Sequence, residues 1–341
     1  MSPEFYNEIW YVLVGVLLTG YAILDGFDLG VGGVYLLAPT DHDRRVFLNA
    51  IGPFWDGNQV WLVTGGGALF AAFPHVYATA FSGFYTAFII LLFTLIFRGV
   101  SIHVRSLRPG SRWRGTWDRA FSISSILASL LMGVALGNVA WGVPLEEGFR
   151  YQGNLLAQVH PYTILTGLMV VAMFMMHGSI YLVMKTEGEL NTRVRTWVRP
   201  AIIAFIILYV LVTVFTLLSL PHMVQPFRAY PVLFLVPALS VLAIANIPRA
   251  MTRGLELQAF VSSAAAMALL LGLFGIGMFP ELIHSRPDTS LSMTVYNASS
   301  SHLTLKTMLI LAAVGMPLVL GYTFHIYRVF RGKVKLDNMS Y

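Results

Sequence analysis

A handful of charged residues lie where an oily chain has least use for them. Asp25 and Asp28 fall in the apolar run Gly20-Tyr-Ala-Ile-Leu-Asp-Gly-Phe-Asp-Leu-Gly30, three residues apart and therefore on one face of a helix. Two carboxyl groups at that spacing in a low dielectric tend to share one proton. Asp56 and Gln59 are again one helical turn apart, with Asn58 between them and the indoles of Trp55 and Trp61 on either side. Arg98, in Phe97-Arg98-Gly99, is the natural counter-ion for one of these acids, and Asp118 precedes another apolar run. An ionised Asp in hydrocarbon costs roughly 2.5–3.5 kcal/mol on insertion scales, so such residues face a bundle interior or a water-filled path. The chemistry they suit is the holding and passing of protons. Plainer roles compete: Asp25 and Asp28 as polar glue between helices, Arg98 snorkelling to the inner surface, Asp118 capping the helix that follows it.

All of this requires a membrane. Of 341 residues, 57% are hydrophobic and 11% charged, against about 25% charged in a soluble domain. Mean hydropathy is +0.71. The chain reads as an all-α polytopic membrane protein. Its net charge of +6 is spread over short loops, which fits a topology signal better than a nucleic-acid surface. The absence of cysteine excludes disulfides and Cys-ligated metal. Glu4 and Glu8 come first and no Lys or Arg precedes Arg44, so the first span lacks the basic flank of a cleaved signal and is expected to be retained.

Apolar runs of spanning length, about 20 residues, fall at 9–37, 50–73, 77–99, 120–140, 161–184, 200–219, 231–247, 259–279 and 303–329. Of the 22 Lys and Arg residues, eighteen fall on one side of these nine spans. They include Arg44 and Arg45, the cluster from Arg98 to Arg119, and the tail from Arg328 to Lys335. Only Arg150, Arg228 and Arg286 fall in connections on the other side, with Lys306 at the start of the last span. That asymmetry places the N-terminus outside and the C-terminus in the cytoplasm. No connection is long enough for a soluble domain, and residues 1–341 read as a single integral membrane domain. With this orientation Asp25 and Asp28 lie in the inner half of the first span, and Asp56 about 9 Å into the second at 1.5 Å per residue. Arg98 and Asp118 gather at the same inner face. Acids open to the cytoplasm and leading inward are what proton uptake requires.

Among nine histidines, His177 in Met173-Phe-Met-Met-His177-Gly178 is the best buried haem-ligand candidate. A second axial ligand at its depth is missing, and the methionines suit core packing. No phosphate loop, HExxH or nucleophile motif occurs, so no metal site is expected.

Several stretches together resemble subunit II of cytochrome bd quinol oxidase. They are Gly26-Phe-Asp-Leu-Gly30, Trp55-Asp-Gly-Asn-Gln-Val-Trp-Leu62, Gly65-Gly-Gly-Ala-Leu-Phe-Ala-Ala-Phe-Pro74, Phe81-Ser-Gly-Phe-Tyr85 and Phe97-Arg98. Gly137-Asn138, Gly142-Val-Pro144, Leu291-Ser-Met-Thr294 and Ser301-His-Leu-Thr-Leu305 extend the likeness nearly end to end. The resemblance implies nine helices arranged as two four-helix bundles plus one peripheral helix. It implies a heterodimer with a related subunit I that carries two b-type haems, haem d and the quinol site, in the bacterial inner membrane. Such a complex oxidises quinol, reduces O2 to water and draws protons from the cytoplasm. Small single-span accessory subunits and membrane lipid are further implied partners. By the same likeness Asp56 is a proton relay, with Asp25, Asp28, Arg98 and Asp118 in support. Trp55 and Trp61 either hold a quinone as a structural lipid or simply pack. A purely structural scaffold is one competing reading. A free-standing transporter is another, but it would need broken helices at mid-membrane and an inverted repeat, neither of which is evident.

Overall fold

The computed structural model describes residues 3–336; both ends of the 1–341 domain, residues 1–2 and 337–341, lie outside them. The chain is a run of helices: α1 Pro3–Val34, α2 Asp41–Ile51, α3 Trp55–Ala72, α4 Pro74–Gly83, α5 Tyr85–Val104, α6 Ser111–Trp141, α7 Pro161–Lys185, α8 Gly188–Ser219, α9 Pro221–Ala229, α10 Leu235–Thr252, α11 Glu256–Met278 and α12 His302–Val329. Two small antiparallel pairs decorate the connections between helices. They are β1 (Leu145–Glu146) with β2 (Arg150–Tyr151), and β3 (Glu281–Ile283) with β4 (Met293–Thr294).

Helices α1, α3, α5 and α6 form one bundle, and α7, α8, α10 and α11 a second. The two are joined where α1 and α6 both pack against α7, and α12 lies on the flank against α1 and α3. Backbone touches backbone at the α1–α7 crossing, because glycines face each other. A Cβ on Gly178 would come within 2.4 Å of the Gly30 carbonyl carbon, and one on Gly30 within 1.8 Å of the Phe174 carbonyl oxygen. Small residues permit such an approach where lipid supplies no hydrophobic drive for association.

Eight helices of the described residues are long and apolar enough to span, and the bent pair α3–α4 brings the number to nine. The structure departs from the expected spans at their ends. The expected helix over 77–99 is interrupted: α4 stops at Gly83 and α5 begins at Tyr85. Helix α4 folds back from α3 by 120°, and Pro74, which cannot donate to the preceding turn, stands at the bend. Residues expected as an inner loop instead form α2, capped by Thr40, whose side chain accepts from the Asp43 N–H at 3.1 Å. The second span therefore begins at Trp55 rather than residue 50, and Asp56 sits in its first turn, shallower than expected. Helix α6 starts at Ser111, nine residues before the expected 120.

Candidate functional site

Asp25 and Arg98 form a bidentate ion pair with no exposed surface on either side chain. Arg98 Nη1 and Nη2 donate to the two Asp25 oxygens at 2.8 and 2.6 Å. The α5 register makes this possible: Phe97 points outward, half exposed, while Arg98 turns fully inward onto α1. Asp28, one turn along α1, is equally buried but has no cation of its own. Its Oδ2 accepts from Asn58 Nδ2 at 2.8 Å; the same amide donates to the Leu24 carbonyl, and Tyr327 donates to Asn58 Oδ1 at 3.0 Å. Asn58 thus ties α1, α3 and α12 together. The cluster is incompletely satisfied: Tyr21 Oη, Asp28 Oδ1 and Arg98 Nε are buried without a protein partner. Most buried polar groups in folded proteins have a partner, and ordered water commonly supplies the missing ones.

Asp56 is elsewhere. Its side chain is exposed on the first turn of α3 and bonds to none of the described side chains. It lines a groove of about 780 Å³ between α3 and α12, together with Trp55, Asn58, Trp61, His103, Tyr322 and Tyr327. Trp61 lies flat against Gly20, where a Cβ would meet its ring at 2.5 Å. Trp55 is nearly buried, edge-on to His103 and against Gly99. Asn58 belongs to both the groove and the buried cluster, so it is the wall between them.

Asp118 joins neither. It lies two turns inside α6 and so does not cap it; the early start of that helix overturns the capping expectation. It accepts from Tyr35 Oη at 2.8 Å, Arg44 Nη1 at 2.8 Å and Arg105 Nε at 2.5 Å. Asp41 extends this network to Arg105 and Arg114. The single inner cluster of five expected from the sequence is therefore three separate places. Arg44 and Arg105 counted only as topology charges in the sequence, and Tyr327 and Tyr21 carried no signal beyond being tyrosines in apolar runs.

His177 has both ring nitrogens occupied, Nδ1 by Ser263 Oγ at 2.7 Å and Nε2 by the Ile23 carbonyl at 3.2 Å, and its ring stacks on Phe260. A haem ligand needs a free nitrogen facing an open plane, and His177 offers neither. No group of three His, Asp or Glu side chains among the described residues is placed to hold a metal.

A family model described as cytochrome bd terminal oxidase subunit II matches residues 6–330. The chain belongs to that family. Relatives agree along the whole length. Cytochrome bd-I ubiquinol oxidase subunit 2 of Escherichia coli is 37% identical, the match covering 99% of this chain and 97% of the relative. Cytochrome bd ubiquinol oxidase subunit 2 of Bacillus subtilis is 32% identical, covering 96% of each. A chain of the bd oxidase structure from Geobacillus thermodenitrificans superposes with a TM-score of 0.80 over 96% of this chain and 98% of that one, at 15% identity, which speaks for the fold. The protein is thus one subunit of an oxidoreductase complex, a respiratory terminal oxidase that contains haem, and its partner is a subunit I. It is a multi-pass protein of the bacterial inner membrane, not a free-standing transporter.

Proposed function

We propose that this subunit supports a haem-bearing subunit I in oxidising quinol and reducing O2 to water, and that it supplies part of the path by which protons enter from the cytoplasm. Asp56, exposed at the cytoplasmic mouth of the groove, collects protons. Asp28, behind the Asn58 wall, is the next acid inward. The observation carrying this reading is the set of unsatisfied buried polar atoms on Tyr21, Asp28 and Arg98, directly behind a groove that reaches Asp56. One guanidinium faces two carboxyls, so a proton on Asp28 leaves the set neutral and its loss leaves a charge in a dry place. That asymmetry makes Asp28 the member able to exchange a proton, while Asp25 is held by Arg98. Asp118, saturated by three donors, fastens the cytoplasmic ends of the helices and is not a carrier. The haems are assigned to subunit I, since His177 is committed to Ser263 and Ile23.

Replacing Asp56 with Asn should slow oxygen reduction several-fold while haem spectra and assembly stay as in the parent. Parental turnover in a fully assembled Asp56→Asn complex would leave only the scaffold role. The groove also favours a second occupant: its indole and phenol walls, Trp61 and Tyr322 among them, fit the flat ring of a quinone held as a structural lipid. Extraction of the purified complex and its Trp61→Ala variant checks this; equal quinone content in both would assign Trp61 to packing.

A further inference from the structure

A second cavity, remote from the acids, lies in the outer half of the α7–α8–α10–α11 bundle. It measures about 380 Å³ and is roofed by the short helix α9 through Met223, Val224 and Phe227. That is more than twice the ~150 Å³ of an apolar cavity that stays dry and takes up benzene. Its polar groups are few: Tyr162, Thr166, Tyr209, Thr213 and Thr216. Tyr162 and Thr216 hydroxyls bond each other at 3.0 Å, and Thr166 donates to the Tyr162 carbonyl at 2.8 Å. The rest of the wall is apolar, so a hydrocarbon chain would bury itself there at little polar cost. Met169, Met173 and Met223 give the wall the adaptability a flexible chain needs.

The rim adds a charge. Helix α9 is amphipathic and follows α8 at its outer end, where an interfacial helix would lie. Arg228 stands one turn beyond Val224, on the same face and exposed. It has no ion-pair partner among the described side chains. Arg286, the other outer arginine nearby, is occupied over the Trp141 ring at 4.5 Å. We infer that this cavity is a phospholipid site of the outer leaflet: one acyl chain fills the space under α9, and the phosphate of the same lipid rests on Arg228. The site is independent of the groove at Asp56 and of the proton path.

The test uses the intact complex in native membranes, a phosphatidylglycerol carrying a diazirine on one acyl chain, and a diazirine-tagged isoprenoid as comparison. After photolysis and detergent washing, the phospholipid label should be retained on peptides spanning 209–227. It should fall at least fivefold in Val224→Trp, which fills the cavity, and about threefold in Arg228→Ala, which touches only an exposed side chain. Label unchanged in both variants, or carried by the isoprenoid instead of the phospholipid, would overturn the assignment.

Discussion

The buried pair Asp25–Arg98 offers the sharpest quantitative test, because its two roles leave different traces. Both side chains are wholly enclosed and share two charge-assisted bonds of 2.6 and 2.8 Å. Removing one partner of such a pair strands a charge and costs about 3–5 kcal/mol. At roughly 1.4 kcal/mol per decade this is a 10²- to 10³-fold or greater loss in the folded-to-unfolded ratio. The cost should be unequal for the two partners. In Asp25→Asn the guanidinium still has Asp28 one turn away, whose Oδ1 is free to turn toward it, so the loss falls near 3 kcal/mol. Adding Asp28→Asn removes that substitute and should abolish assembly. In Arg98→Met two carboxyls remain with no cation, and both are forced to stay neutral or the site opens to water. The double variant Asp25→Leu/Arg98→Met replaces the pair by apolar volume and should regain most of the lost stability. Thermal unfolding of the detergent-purified complex gives the stability cycle, and oxygen consumption per haem gives the function. A pair that only holds helices together predicts recovery of both. A pair that sets the charge on Asp28 predicts recovered assembly with low turnover. Asp25→Asn as stable as the parent, within about 0.5 kcal/mol, would refute the buried-pair reasoning altogether.

The helix crossing gives a second test. Gly178→Ala forces a Cβ to within 2.4 Å of α1 backbone, which cannot yield, and should cost at least 1–3 kcal/mol of overpacking; Gly272→Ala, with no atom within 4 Å, should be neutral or slightly stabilising, and thermal unfolding compares them. Asp118→Asn should lower the yield of assembled complex by leaving Arg105 and Arg44 under-compensated, with turnover per haem unchanged; a turnover defect in the assembled fraction would return Asp118 to the proton path. His222 stacks on His284 at 3.9 Å, and its pKa is pushed from 6.5 to about 4, first by burial and then by the neighbouring imidazole. The unfolded chain then binds more protons than the folded one between those values, so stability is complete above about pH 6.5 and declines toward pH 4. Glu281, where burial works to raise the pKa but the 2.6 Å bond to His284 and the other neighbours outweigh it and hold it below the usual carboxylate range, loses its contribution in the same direction as pH falls. Because His222 is only partly buried, solvent screening makes its share smaller than the full shift would imply. Protection factors in 280–302, which correct for the intrinsic slowing of amide exchange at lower pH, should fall on acidification in the parent and be less pH-dependent in His222→Gln.

What could be read from the residues alone follows from which forces act over short sequence distances. Span count was legible because hydrocarbon thickness acts on each segment separately; the bend between α3 and α4, the helices α2 and α9 and the early start of α6 were not. That Arg98 meets an acid was legible as chemistry, since a buried guanidinium must. Which acid it meets was not, because Asp25 and Asp28 differ only by a turn along α1, and the choice depends on the rotation of α5. Asn58 shows the same limit more sharply. In sequence it is two residues from Asp56, and at 3.6 residues per turn the two side chains leave α3 about 160° apart, so Asn58 reaches the buried cluster while Asp56 only lines the groove. That rotation is set where Trp61 lies on Gly20, a contact between residues far apart in the chain. The division of labour between Asp28 and Asp56 is therefore a property of helix packing. A substitution that turns α3 without touching either acid, such as Gly20→Ala pushing against the Trp61 ring, should impair proton delivery while leaving every titratable group in place.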